Sequence, residues 1–323
     1  MKAGKISEPI LKRSVLKKIT YKSKDVLSRG AVGHDSCVIA DGDGRIVMST
    51  ETEVAKRDYH KSRAFIKAIN NIVVVGAVPK YAQISIVLPE GMREIKLKML
   101  MEEMALVAEA HKIHITGGST TVSDAVSQPV VTVTVTGMAD RDDNCIYRYK
   151  ENVKPGQDIV MTKAAALEGT AILAMEQEEE LLTRFTSLYI DNSKAFIDDI
   201  SIVKEAEIAA GCSVAAMHDM SSGGVFGALW ELGEAANCGL EVDLKKINMR
   251  QETIELTNHF NINPYLMPSA GSLLMVTSDG LGLVSELKKG GIDAYVIGKI
   301  IEGNDRVIIN EDEKRFLEPP KNK

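Results

Sequence analysis

The chain has 323 residues, 45% hydrophobic, 26% charged and 5% aromatic, with a formal net charge of −6. Its length exceeds the size at which single cores stop growing, so two domains with separate cores are expected. An acidic balance with interleaved signs argues against a nucleic-acid backbone as main partner, and no apolar run approaches the roughly 20 residues of a membrane-spanning helix, so a cytoplasmic protein without a membrane or nucleic-acid partner is expected.

The chain opens on a basic stretch from Lys2 to Lys24. Ile10, Leu11, Val15 and Leu16 interrupt it at helical spacing, which predicts a short amphipathic helix rather than a targeting peptide. A hairpin follows: strand Ser36 to Ala40, the turn Asp41-Gly42-Asp43-Gly44, and strand Arg45 to Ser49. Tyr59 to Ile72 reads as a helix, ended by Gly76 and Pro79, which turn the chain toward a strand from Ala82 to Val87.

From Arg93 to His111, Leu97, Leu100, Met101, Met104, Ala105 and Ala108 recur at the spacing of one buried helix face, opposite Lys96, Lys98, Glu102 and Glu103. A short strand from Ile113 to Ile115 leads into Gly117-Gly118. Between Pro129 and Gly137, Val131, Val133 and Val135 alternate with Thr132, Thr134 and Thr136, a strand with two unlike faces.

The polar stretch from Asp140 to Lys154-Pro155-Gly156 marks the expected boundary, dividing the chain into domains 1–150 and 151–323. Beyond it the spacing predicts strand Asp158 to Met161 and helices from Leu167, over Ser193 to Ala210, over Val225 to Ala236 and over Leu281 to Lys289. Strands are expected at Ser272 to Val276, Tyr295 to Ile300 and Val307 to Ile309. Strands and helices mix without a regular βαβ repeat, so both halves read as α+β. Cys37, Cys145, Cys212 and Cys238 are widely spaced with no metal-binding pattern, which favours free thiols.

Four elements carry the chemistry of phosphate binding. Gly33-His34-Asp35 delivers an aspartate to the start of an apolar strand, where it could hold Mg²⁺ through oxygen or simply cap its own turn. Gly117-Gly118-Ser119-Thr120 offers backbone N–H groups and hydroxyls that could cradle phosphate, or a plain turn. His218-Asp219 with Gly223-Gly224 precedes a helix whose N-terminal amides and dipole favour an anion, or Ser221 or Ser222 caps that helix. Thr162-Lys163 with Glu168-Gly169-Thr170 is a second strand-to-helix junction, with a lysine suited to balance phosphate charge but without P-loop spacing.

In this order, and together with Asn70-Asn71, Gly76-Ala77, Pro79, Pro264, Pro268, Ser269, Gly271, Ser272, Leu273 and Leu274, these motifs resemble the aminoimidazole-ribonucleotide (AIR) synthase superfamily over nearly the whole chain. The closest likeness is to the hydrogenase maturation factor branch. The resemblance implies an N-terminal α+β domain that dimerises through its sheet, and a C-terminal α/β sandwich domain packed beside it. It implies ATP in the cleft, with Mg²⁺ on its phosphates, and phosphoryl transfer to an amide or acid oxygen of a small substrate. Carried onto this sequence, Asp35, Glu51, Asn71 and Asp219 are the metal-side residues, while Gly33, Gly117, Gly118, Ser119, Thr120, Lys163, Gly223 and Gly224 contact the nucleotide. His218 and Asp219 are the catalytic candidates, His218 as acid or base or as a hydrogen-bonding strut.

The sequence also departs from the pattern. Glu51-Thr52 stands where the superfamily has Asp-Pro, Asn70-Asn71 where it has Asn-Asp, and Ser119 where it has aspartate or histidine. Neutral groups in place of carboxylates weaken Mg²⁺ ligation, unless Glu51 or Asp124 compensates. The maturation factors carry their substrate on a C-terminal cysteine, and here no cysteine follows Cys238. Two functions therefore compete: an ATP-dependent enzyme acting on a small substrate, and a catalytically degenerate relative that serves as a maturation or assembly partner. A true AIR synthase fits the glycine-rich loop less well.

Overall fold

The computed structural model describes residues 6–56, 62–140 and 146–320. The expected helix start at Tyr59, the Asp142-Asp143-Asn144 part of the expected boundary, and Cys145 lie outside the described residues. The chain forms two compact units. One comprises Ser23–Gly30 and His34–Cys145; the other joins Met1–Lys22 and Ala31–Gly33 to Ile146–Lys323.

The first unit is a six-stranded sheet in the order β1-β2-β3-β6-β4-β5. Its strands are β1 (Val26–Ser28), β2 (Ser36–Asp41), β3 (Gly44–Val54), β4 (Val78–Pro89), β5 (His114–Ser123) and β6 (Val130–Asp140). The β2–β3 hairpin closes at Asp41 and Gly44 as expected. In β6, Val131, Val133 and Val135 are fully buried, while Thr132 and Thr134 on the opposite face bond the hydroxyls of Thr52 and Thr50 at 3.0 and 2.9 Å. Helix α1 (Arg63–Val73) covers the apolar face with Phe65, Ala68, Ile69 and Ile72, none of which is exposed.

Helix α2 (Glu94–Ala110) forms where the spacing predicts it, but its buried seam is narrower, limited to Leu100, Met104 and Ala108. Ala105 is exposed, because one residue beyond Met104 turns the side chain about 100° away from the seam. The expected strand Ile113 to Ile115 also runs on to Ser123, so Gly117 and Gly118 lie inside β5 and not in a turn. Their φ values of 153° and 152° favour glycine. A Cβ on Gly118 would sit 1.7 Å from the carbonyl oxygen of Ile84 in the neighbouring strand. The register shifts just before this point, and the bulged Thr116 donates its hydroxyl to the Ala82 carbonyl at 3.1 Å.

The second unit holds a seven-stranded sheet in the order β13-β12-β9-β11-β7-β10-β8. Its strands are β7 (Asp158–Thr162), β8 (Val214–Asp219), β9 (Gly239–Asp243), β10 (Leu273–Thr277), β11 (Ala294–Ile301), β12 (Arg306–Asn310) and β13 (Glu313–Phe316). Helices α3 (Leu167–Glu176), α4 (Ser187–Lys194), α5 (Val203–Ala210), α6 (Gly224–Ala236), α7 (Gln251–His259) and α8 (Gly280–Lys289) pack around it. The helix expected over Ser193 to Ala210 is split into α4, a 3₁₀ turn over Ala195–Asp199, and α5. The break is stabilised from outside: the Lys163 ammonium bonds the carbonyls of Asp199 and Ser201 at 3.0 and 2.9 Å, and Ile200 and Ile202 are buried there. The opening segment is helical over Glu8–Ile10, Leu11–Val15 and Leu16–Lys18, yet buries no residue.

Candidate functional site

In the first unit, β3 and α1 assemble a polar cluster, next to the pairing of Glu53 with Arg63 and Lys67 on the same two elements. Ser49 and Glu51 lie two residues apart on one face of β3, opposite Asn71 of α1. The Asn71 side-chain amide donates to Ser49 Oγ at 3.0 Å and to Glu51 Oε1 at 2.8 Å, and Ser49 Oγ donates to the Asp35 carbonyl at 2.9 Å. The side chains of Glu51 and Asn71, expected on the metal, are thus drawn together, and the Asp35 backbone carbonyl is reached through Ser49. Ser49 joins them unexpectedly, although its place two residues before Glu51 is the signal that would have found it. Their side-chain oxygens are hard donors suited to Mg²⁺. However, among the described residues no group of three histidine, cysteine or acidic side chains is placed to hold a metal. Asp124, the alternative ligand, is exposed in the turn after β5.

Gly117, Gly118, Ser119 and Thr120 are all exposed on β5, the outer strand of its sheet. Their hydroxyls and backbone present a polar edge.

In the second unit, the motif residues mostly lock two loops to each other. Ser269, fully buried, accepts from the Ala166 amide at 2.8 Å and donates to the Met267 carbonyl at 2.9 Å. Ser272 donates to the Ala164 carbonyl at 2.6 Å, Thr162 accepts from the Leu273 amide at 3.0 Å, and the buried Glu168 carboxylate accepts from the Ala270 amide at 3.3 Å. Lys163, with φ 50°, places its ammonium 2.7 Å from Glu205 as well as on the two carbonyls of the α4–α5 break. That commitment explains the lysine without any phosphate.

The β8–α6 junction is different in kind. Helix α6 starts at Gly224 with Gly223 as its N-cap, and neither Ser221 nor Ser222 caps it through a side chain. Gly224 has φ 66°, and a Cβ there would lie 2.5 Å from the Tyr265 carbonyl oxygen, so glycine is required for the helix to begin against that loop. His218 is 3% exposed and its Nε2 lies 3.3 Å from Glu231 Oε2 of α6, while Tyr149 donates its hydroxyl to the neighbouring Met217 carbonyl. Successive strand residues point to opposite faces, so His218 faces α6 whereas Asp219 faces the other side. Gly33, expected at the nucleotide, packs on α6: a Cβ there would lie 2.5 Å from the Glu231 carbonyl oxygen.

Family models match in two consecutive blocks: "AIR synthase related protein, N-terminal domain" over residues 33–139, and the C-terminal domain of the same family over residues 154–310. A Methanocaldococcus jannaschii protein assigned to hydrogenase expression and formation is 24% identical over 322 residues, covering 95% of this chain and 91% of its own. A carbamoyl dehydratase HypE of Rhizobium leguminosarum is 22% identical over 278 residues, 83% of this chain and 77% of its own.

Among solved structures, HypE in a HypE–HypF complex superposes with a TM-score of 0.77 at 17% identity, covering 96% of this chain and 99% of that one. HypE in complex with ATP gives 0.74 at 17% identity over 99% and 96% of the two chains. ThiL complexed with AMPPCP and TMP gives 0.74 at 14% identity over 98% of each. These likenesses establish the fold. With both family blocks matched in order, the chain belongs to the AIR synthase related family.

Proposed function

We propose that this protein binds ATP with Mg²⁺ and acts in hydrogenase maturation, using phosphoryl transfer to activate an amide or acid oxygen of a small substrate so that the oxygen departs with phosphate. The observation that carries this reading is likeness along almost the full length to a hydrogenase expression and formation protein, on the fold of a HypE that binds ATP. Asp35, Glu51 and Asn71 would hold the metal, which neutralises phosphate charge when bound, and Asp219 is a further candidate carboxylate ligand. Gly223 and Gly224 would lie against phosphate oxygens at the start of α6, with the Gly223 amide as the donor, since the Gly224 amide already donates to the Ser221 carbonyl at 3.0 Å. The exposed polar edge of β5 and the threonine face of β3 and β6 suit a second copy of the chain, giving a homodimer. The HypE–HypF complex of a relative supports a maturation protein as partner, and the working compartment would be the cytoplasm.

A second reading, a catalytically degenerate member that serves as an assembly partner, draws on the neutral Asn71 amide in the cluster and on the full engagement of Lys163. Calorimetric titration of ATP into metal-depleted protein, with and without Mg²⁺ and repeated on Asp35→Ala, separates the two. Magnesium-dependent heat that disappears in the variant supports the enzyme. No heat and no thermal stabilisation at millimolar ATP leaves the assembly role.

A further inference from the structure

Helix α6 carries a stripe that neither the phosphate chemistry nor the sheet explains. Gly223, Gly227, Trp230 and Glu234 recur at spacings of four, three and four, so they lie on one face. Both ends of the described chain meet this face. Toward the helix start, a Cβ on Gly227 would sit 3.7 Å from Pro320 Cγ. Further along, the Trp230 indole N–H donates to Glu8 at 3.2 Å, and Lys12 pairs with both Glu8 and, at 3.3 Å, Glu234.

Beneath that contact Arg306, 6% exposed, stacks 4.1 Å from the centre of the Trp230 ring and donates to Glu234 at 2.9 Å. Gly233 leaves room for it, since a Cβ there would lie 2.4 Å from Arg306 Nε. The receiving surface is therefore built. The arriving segment is not: residues 8–18 bury no side chain fully and reach α6 through two charged groups, Lys12, 48% exposed, and Glu8, 17% exposed. Contacts of that kind are individually weak, which makes the segment a low-stability element on a stable platform.

We propose that residues 8–18 form a releasable ionic strap on α6, and that its seating strengthens nucleotide binding at the start of that helix. This rests on the reading that Gly223 and Gly224 meet phosphate. The strap touches α6 at Trp230 and Glu234, seven and eleven residues beyond Gly223 and hence about 10 and 16 Å along the axis, so it does not block the helix start. It restrains the helix instead, and a ligand that needs α6 ordered binds more tightly when the ordering is already in place. Trp230 is the only tryptophan in the chain, so its emission reports the strap directly.

The test compares the full-length protein with the double variant Glu8→Ala/Lys12→Ala and with Lys12→Arg. Loss of the two polar links should change Trp230 emission and speed tryptic cleavage at Arg13, Lys17 and Lys18 by roughly tenfold. The ATP half-saturation concentration should rise about fivefold, while Lys12→Arg behaves as the parent. Sodium chloride added to the parent protein should reproduce the emission change without loss of secondary structure, which covers the case of a poorly folded double variant. Unchanged emission and cleavage in the double variant would overturn the strap. Released strap with unchanged ATP affinity would overturn the coupling. Absence of ATP binding in every protein would remove the nucleotide reading and the coupling with it, while emission and cleavage still decide whether the strap exists.

Discussion

The Asn71 side chain donates one hydrogen bond to Glu51 at 2.8 Å and another to Ser49 at 3.0 Å, so an amide occupies the centre of the cluster proposed to hold the metal. Asn71→Asp replaces a donor with a second carboxylate beside Glu51, at a site 2% exposed. Without a cation the variant should lose about 1–3 kcal/mol, the usual cost of leaving a buried group unsatisfied. Magnesium should return much of that loss by bridging the two carboxylates. Thermal unfolding of parent and variant with EDTA or with millimolar Mg²⁺ measures both effects. An Mg²⁺ increment no larger in the variant than in the parent would remove Asn71 from the metal site.

Gly224 and Gly42 both have positive φ, 66° and 55°, but only Gly224 is crowded. Alanine at Gly42 meets nothing within 4 Å and should cost about 1–2 kcal/mol from backbone strain alone. Alanine at Gly224 adds a 2.5 Å clash with the Tyr265 carbonyl oxygen and should cost several times as much, displacing the 264–267 loop. Chemical denaturation of the two variants side by side checks the contrast, and equal losses would mean that α6 does not start against that loop.

Ser269 shows how far the motifs of the second unit serve the scaffold. Its buried hydroxyl both accepts from Ala166, held at φ 62°, and donates to Met267. Ser269→Ala orphans the Ala166 amide and should cost about 1–3 kcal/mol. Faster hydrogen exchange should be confined to residues 163–170 and 266–273. Exchange spread evenly over the unit would contradict a local lock.

These positions mark what the sequence could and could not convey. Alternation in β6 and the β2–β3 turn follow from local periodicity and turn chemistry and appear in the structure almost unchanged, while α2 forms as expected with a narrower buried seam. Three features depend on partners distant in the chain. The break between α4 and α5 is fixed by Lys163, more than thirty residues earlier. Gly118 is needed because of Ile84, and Gly33 because of Glu231. A glycine needed for close approach to protein reads the same, in one sequence, as a glycine needed for close approach to phosphate. Ser49 is legible only in part: its place two residues before Glu51 puts it on the same strand face, but its importance comes from Asn71 across the sheet–helix interface.

Glu234 makes the clearest pH prediction. Burial pushes its carboxyl up, but hydrogen bonds from Arg306 and Lys12 outweigh that and hold it below the ordinary value of 4.5. A carboxylate depressed in the folded state contributes stability that is fully present above its unfolded pKa and is lost as pH falls through the lower, folded one. Contacts around Trp230 should therefore persist through about pH 4.5 and give way only below it, as Glu234 takes up a proton and releases Arg306. In Glu234→Gln the acid-induced step in Trp230 emission should vanish, and the variant should be less stable than the parent at neutral pH, with the difference narrowing toward acid. A step that survives the substitution with the same midpoint would assign the transition to another carboxylate.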